Sequence, residues 1–387
     1  MGVLRSAEVN IAPGGSWNSL TGVIIGDSGN GTVNINGGLW TAEANSSVLL
    51  GSDGHGKVNI SGGGRWLSRA AVTVGDLQFG SGAIVVGDGN DANTAQWTSD
   101  AAVEILSGSV ELRSGGCWLS SGGVTVGADD GSGSILISGG TWKIPYAAWL
   151  HGGTSLTMTG GKIQAATLRI DGTASISGGS IELPNAGSLL LVTGQMLRLN
   201  GAEICGDGTI LTEYGVGLGN GRLAGSDSSH RLTVNADLFG PGLAEHVDLL
   251  GQIHLGPAAG QLTLRDVNFG IDAALVLEID ASVADDNGRL VLGPFTELDG
   301  VGLQIVFADG FVPAGGSEIE LVCAGDGTSL AAALSGAAVQ VPEGCSFDST
   351  TGVLTVIPEP TTIALLAAGA VGLIRRRGRS ARRQRRA

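Results

Sequence analysis

The chain has 387 residues, 68 of them glycine, with only 15% charged residues and a formal net charge of −15. Glycine is far above its usual share of about 7%, yet no Gly-X-Y period runs through it, which excludes collagen. Eight arginines follow Ile374, leaving 13 of the 21 basic residues against 36 acidic ones, so residues 1–374 carry −23 and would repel a polyanion such as DNA.

Short Val/Ile/Leu/Thr runs between Gly, Asn, Asp and Ser predict many short strands joined by tight turns. Ala7–Trp17 reads AEVNIAPGGSW, the back half of a unit that recurs downstream. Gly31–Trp40 is GTVNINGGLW, Gly56–Trp66 is GKVNISGGGRW, and Gly133–Trp142 is GSILISGGTW. Gly108–Trp118, GSVELRSGGCW, is a looser copy; the one at Gly82–Trp97 is stretched and lacks the Gly-Gly pair. Before each copy stands a second apolar run ending in glycine, such as Val23–Gly26 and Val48–Gly51. Thr154–Ile163 and Thr173–Ile181 continue the pattern with Ile in place of Trp.

One such unit is too small to bury a core alone, so the units must stack, each strand pairing with its copy about 4.8 Å away. Val33, Ile35, Val58, Ile60, Ile135 and Ile137 then point into a shared core, and Asn34, Asn59 and Leu136 point out. The expected fold is all-β: a parallel β-helix, right-handed as parallel crossovers are. A solenoid needs a cap on its first rung. Because the sequence opens in mid-repeat, without an apolar signal segment, a signal and a cap are expected to precede residue 1.

On these motifs, residues 7–181 resemble the repeats of type V secretion (autotransporter) passengers and of PEP-CTERM proteins. The resemblance implies an exported, elongated β-structure and no chemistry. Repeats are expected over residues 1–185; beyond them the Gly-Gly-Trp mark is lost but short apolar runs persist, which predicts an irregular continuation over 186–266. From Val267 the strands lengthen and alternate cleanly, as at Leu303, Ile305, Phe307 and Ile319, Leu321, Cys323. They predict a β-sandwich-like domain over 267–357, closing an edge that would otherwise recruit other strands.

Candidate chemistry is sparse. Trp17, Trp40, Trp66, Trp97, Trp118 and Trp142 share one repeat position. Buried they would be a stacking ladder; exposed they would be a track for sugar rings. Asp27, Asp53, Asp76 and Asp129 could stack into a calcium-binding row or simply make turns; no metal site is assigned. Gly54-His55-Gly56 and Asp129-Asp130 echo polygalacturonases of this fold, but the order is reversed and no Arg-x-Lys occurs. About three rungs would separate them by roughly 15 Å, too far for a catalytic group. No catalytic residue and no cofactor is therefore assigned. Cys323 and Cys345 share a predicted domain and could bridge; alternatively Cys117, Cys205, Cys323 and Cys345 are all small buried hydrophobes.

The tail, residues 358–387, has three parts: Pro358-Glu359-Pro360, the apolar stretch 361–374, and arginines including Arg375, Arg376 and Arg377. Fourteen residues make about 21 Å of helix, short of the roughly 20 residues a comfortable span needs, so taken alone the stretch predicts a short, marginal transmembrane helix. The arginines place residues 375–387 in the cytoplasm. The three-part order resembles the PEP-CTERM sorting signal. That resemblance implies export, transient holding in the inner membrane by this helix, recognition by an exosortase through Pro358, Glu359 and Pro360, and a final place at the cell surface or in an exopolysaccharide matrix. The expected function is a non-enzymatic surface or matrix protein; the competing one is a β-helix that binds or cleaves carbohydrate. Nucleic acid is not an expected partner.

Overall fold

A computed structural model describes residues 2–357 apart from 77–78, 91, 93, 128–130, 257–259, 272, 280–287, 309–310, 312 and 326. Within these residues the fold is an all-β solenoid of about 12 turns, and the only helix is the single turn Leu330–Ala333.

Three short strands make a turn, one on each face. Asn30–Asn36, Leu39–Ala42 and Ser47–Leu50 form one such set. Each pairs in parallel with its copy one turn on: Val33 with Val58, Trp40 with Trp66, Val48 with Val72. Alternation decides which side chains are inside. Val33 and Ile35 are fully buried, while Asn34 faces outward and forms an amide column. Asn34 Nδ2 donates to Asn10 Oδ1 at 2.9 Å, and Asn59 Nδ2 donates to Asn34 Oδ1 at 2.7 Å. The Gly-Gly pair makes the corner by two means. Gly37 takes φ of 72°, which favours glycine. A Cβ on Gly38 would lie 2.5 Å from Ile11 Cγ2 and 2.7 Å from the Ala12 carbonyl oxygen.

The step between turns varies, being 18 residues from Leu156 to Ala174 and 36 from Gly302 to Ala338, and the columns hold throughout. In the stretched repeat the surplus leaves the ladder between Val86 and Ala95, and Trp97 still pairs in register with Trp66 and Trp118. The strands Ser134–Leu150 and Ser155–Ile170 run through their corners, with register shifts such as that between Ile137 and Ser138.

The tryptophans form a stack inside the solenoid. From Trp17 to Trp142 successive ring centroids lie 4.4–5.1 Å apart, with planes within 9° of parallel. Trp40, Trp66, Trp97, Trp118 and Trp142 are at most 1% exposed; buried rings cannot serve as a track for sugars. Each such contact adds about 0.5–1.5 kcal/mol beyond area burial. Beyond Trp142 the same column continues as Ile163, Ile181, Ile204, Leu223, Ala244, Leu264 and Leu292.

The indole N–H groups need partners in this dry interior. Trp40, Trp118 and Trp142 donate to Ser19, Ser99 and Ser120 of the preceding turn at 3.1–3.2 Å. Trp66 and Trp97 have no partner. For Trp66 the equivalent acceptor position holds Ala42, in register with Ser19. For Trp97 it holds Ser68, whose hydroxyl donates instead to the Ala70 carbonyl at 2.9 Å.

The β-sandwich-like domain predicted for 267–357 is not what most of these strands form. Ala274–Ile279 pairs in parallel with Ile253–Leu255 and with Gly302–Phe307, which pairs in parallel with Ala338–Gln340. Arg289–Leu292 pairs in parallel with Gln261–Phe269 and Val322–Ala324. The solenoid therefore runs on, and only Glu318–Glu320, Cys345–Asp348 and Val353–Val356 form an antiparallel sheet. Its Ile319 and Leu354 join the same core that begins at Ile11. All four cysteines are free. Burial pushes the Cys323 and Cys345 thiols up, and Cys323 Sγ donates to the Leu290 carbonyl at 3.7 Å.

Ala42→Ser should supply the missing acceptor for Trp66 and stabilise the protein by about 1 kcal/mol. The gain is read as a higher urea midpoint. It should vanish in a Trp66→Phe background, which removes the donor.

Candidate functional site

The side chains singled out by the repeat do not converge on a site. Asp27 is paired with Arg5 at 3.3 Å, Asp129 and Asp130 lie outside the described residues, and no group of three His, Cys, Asp or Glu among the described residues is placed to hold a metal ion. His55 opens the strand His55–Ser61, its Nδ1 2.5 Å from Ser81 Oγ. The glycines beside it are packing residues. A Cβ on Gly54 would meet the Gly29 carbonyl oxygen at 2.4 Å, and one on Gly56 the Ile25 carbonyl oxygen at 2.2 Å.

A groove of about 580 Å³ opens on the outer face near the C-terminal end of the solenoid, a size suited to small ligands. It crosses Gly242–Leu249, Gln261–Phe269 and Arg289–Leu292. Glu245 and Arg265 are register partners on its wall. The next two places in that column hold Gly293 and Gly325, whose N–H groups donate to Leu264 and Leu292 carbonyls at 2.7 Å. A Cβ on Gly293 would lie 2.7 Å from Arg265 Cγ. The absence of two side chains, with Val291 on the floor, makes the depression.

Its rim is a corner where three residues other than glycine have positive φ: His246 at 53°, Asp266 at 48° and Phe295 at 62°. Each such residue costs about 1–3 kcal/mol. His and Asp are enriched in this region, whereas a bulky Phe is an outlier there. Phe295 is also 84% exposed, so its ring returns little to the fold.

The charges around the groove are mostly spent on each other. Asp266 lies 2.6 Å from His246 Nδ1 and 2.9 Å from Arg231 Nη1. Arg231 also donates to Asp248 at 2.6 Å and to the Val247 carbonyl at 2.9 Å. Arg222 bridges Glu203 at 2.7 Å and Glu245 at 2.8 Å. Arg265 makes no ion pair or hydrogen bond among the described residues. Gln261 Nε2 donates to Thr263 Oγ1 at 3.1 Å, which leaves the threonine proton free to donate. Burial pushes the Asp266 carboxyl up, but the hydrogen bonds from His246 and Arg231 and the guanidinium charge outweigh it and hold the group below the usual carboxylate range.

A second outward cluster centres on Trp149. Its Nε1 donates to Asp171 at 2.7 Å, Arg169 lies 4.4 Å over the ring, and His151 stacks at 4.0 Å. Neighbours already occupy this ring, unlike that of Phe295. Trp149 lies outside the Gly-Gly-x-Trp position, in register with outward-facing Thr125; its mismatch with the repeat was the available signal.

The tail answers to a different comparison. Residues 356–379 match the PEP-CTERM protein-sorting motif. The matched segment contains Pro358, Glu359, Pro360, Arg375, Arg376 and Arg377, all outside the described residues, as is the helix expected over 361–374. The motif marks an exported, cell-surface protein sorted by an exosortase. The likeness of residues 7–181 to type V secretion passengers gains no support from it. A search among curated proteins gave no match. Among the described residues no helix is long and apolar enough to cross a membrane.

The lowered Asp266 carboxyl carries a sign. Its stabilising contribution is present above the unfolded value of about 3.9 and is lost as pH falls through the lower folded value. Asp266→Asn should therefore flatten the dependence of the urea midpoint on pH below about pH 4. An unchanged slope would show that the Arg231 and His246 contacts do not hold the charge.

Proposed function

We propose that the chain is a non-enzymatic structural protein of the cell surface or extracellular matrix, with adhesin-like capacity, delivered through its sorting tail. The observation that carries this is the unbroken inward column from Trp17 to Leu292. Such a column fits a rigid spacer, because every turn is held by both neighbours. At about 4.8 Å per turn, about 12 turns make a rod of roughly 60 Å. The acidic body keeps such rods soluble and apart.

No catalytic role is proposed. Of the residues that invited one, His55 faces Ser81 and its flanking glycines permit close backbone approach. Pro358, Glu359 and Pro360 are proposed as the exosortase recognition element, with residues 361–374 seated briefly in the inner membrane and Arg375, Arg376 and Arg377 on its cytoplasmic side.

The test is expression with and without a cognate exosortase, followed by cell fractionation and intact-mass measurement. With the enzyme, the product should lose mass from the C-terminal tail and reach the surface or medium. Without it, the full tail should remain and the protein should stay with the membrane. Retention of residues 361–387 in both hosts would overturn the sorting route.

A further inference from the structure

The groove at the C-terminal end holds two features that the fold does not use. Phe295 combines a positive φ with a ring 84% exposed to solvent. A strained backbone under an unpacked aromatic is a double cost, and a ligand stacked on the ring would offset it. Arg265 is the second feature. Around it Arg222, Arg231 and Arg289 are each paired with carboxylates. Arg265 is in register with Glu245, yet that carboxylate is taken by Arg222. Among the described residues its guanidinium therefore has no acceptor, and a carboxylate is the group its planar fork fits best.

We propose that this groove binds one uronic acid residue of an acidic polysaccharide. The sugar's C–H face lies on Phe295, and its carboxylate meets the Arg265 fork. Thr263 and Gln261 hydrogen-bond to ring hydroxyls, and Val291 lies under the apolar edge. Gly293 and Gly325 are small because the saccharide passes over them. The −23 body limits how many residues of a polyanion can approach, so recognition is confined to the groove, where a guanidinium and an exposed ring line one depression. The binding does not depend on the sorting route and is measured on the purified full chain, so a failure here leaves the tail's role untouched.

The test is calorimetric titration with three probes: a tetrasaccharide of uronic acid, a neutral tetrasaccharide of the same linkage, and an oligoglutamate of equal charge. The uronate should bind saturably at one site, at least tenfold tighter than either of the others. Arg265→Gln should cut uronate affinity at least tenfold and leave the neutral sugar unaffected. Phe295→Gly should cut it at least tenfold while the thermal midpoint stays level or rises, since glycine relieves the backbone. Several results overturn the proposal: no saturable uronate binding, equal binding of the neutral sugar or of oligoglutamate, or unchanged affinity in either variant. A lower midpoint in Phe295→Gly would also sink it, by showing that the ring serves the fold.

Discussion

The hydrogen bonds between parallel strands fix the rise from one turn to the next, and the side-chain contacts follow from that rise. Because each residue sits over its copy, like stacks on like. The spacing of strands, about 4.8 Å, is also a good separation for parallel aromatic rings, and the Trp stack follows it at 4.4–5.1 Å. The outer amide column of Asn10, Asn34 and Asn59 is the polar counterpart, each amide able to donate one way and accept the other. Charge is the exception, since like charges in a column repel. Accordingly Arg222 stands between Glu203 and Glu245, and Arg231 reaches Asp248 and Asp266 of later turns.

The same constraint explains what was legible in the sequence. Val-x-Ile followed by Gly-Gly fixes strand, corner and inward column, and the described part of residues 7–181 folds as that pattern predicts. Whether Trp40 lies inside was not legible there: alternation puts it on one face with Ala42, and Leu39 on the other, and only the fold shows which face is buried. The C-terminal region was misread for a physical reason. A solenoid strand and a sandwich strand share the period of two, so Leu303, Ile305 and Phe307 name their inward face but not their partner. The partner is a parallel neighbour one turn away.

The groove was hidden for other reasons. His246, Asp266 and Phe295 have positive φ without the glycine that announces it. Gly293 and Gly325 look like turn glycines in sequence; only their stacking makes them a missing wall. The tail was the reverse case, fully legible as a three-part signal because its order along the chain is the information.

The stacked turns also determine how the protein would bear load. A turn is held chiefly by the turn above and the turn below, so tension applied at one end does not shear the whole rod together. It lifts the last turn first. Each released turn shortens the rod by about 4.8 Å but frees its whole length of chain, 18 residues at one step and 36 at another, or roughly 60–130 Å when extended. A molecule tethered at one end and gripped at the other would therefore lengthen in steps under strain, while the turns still stacked keep their register and can take the released one back.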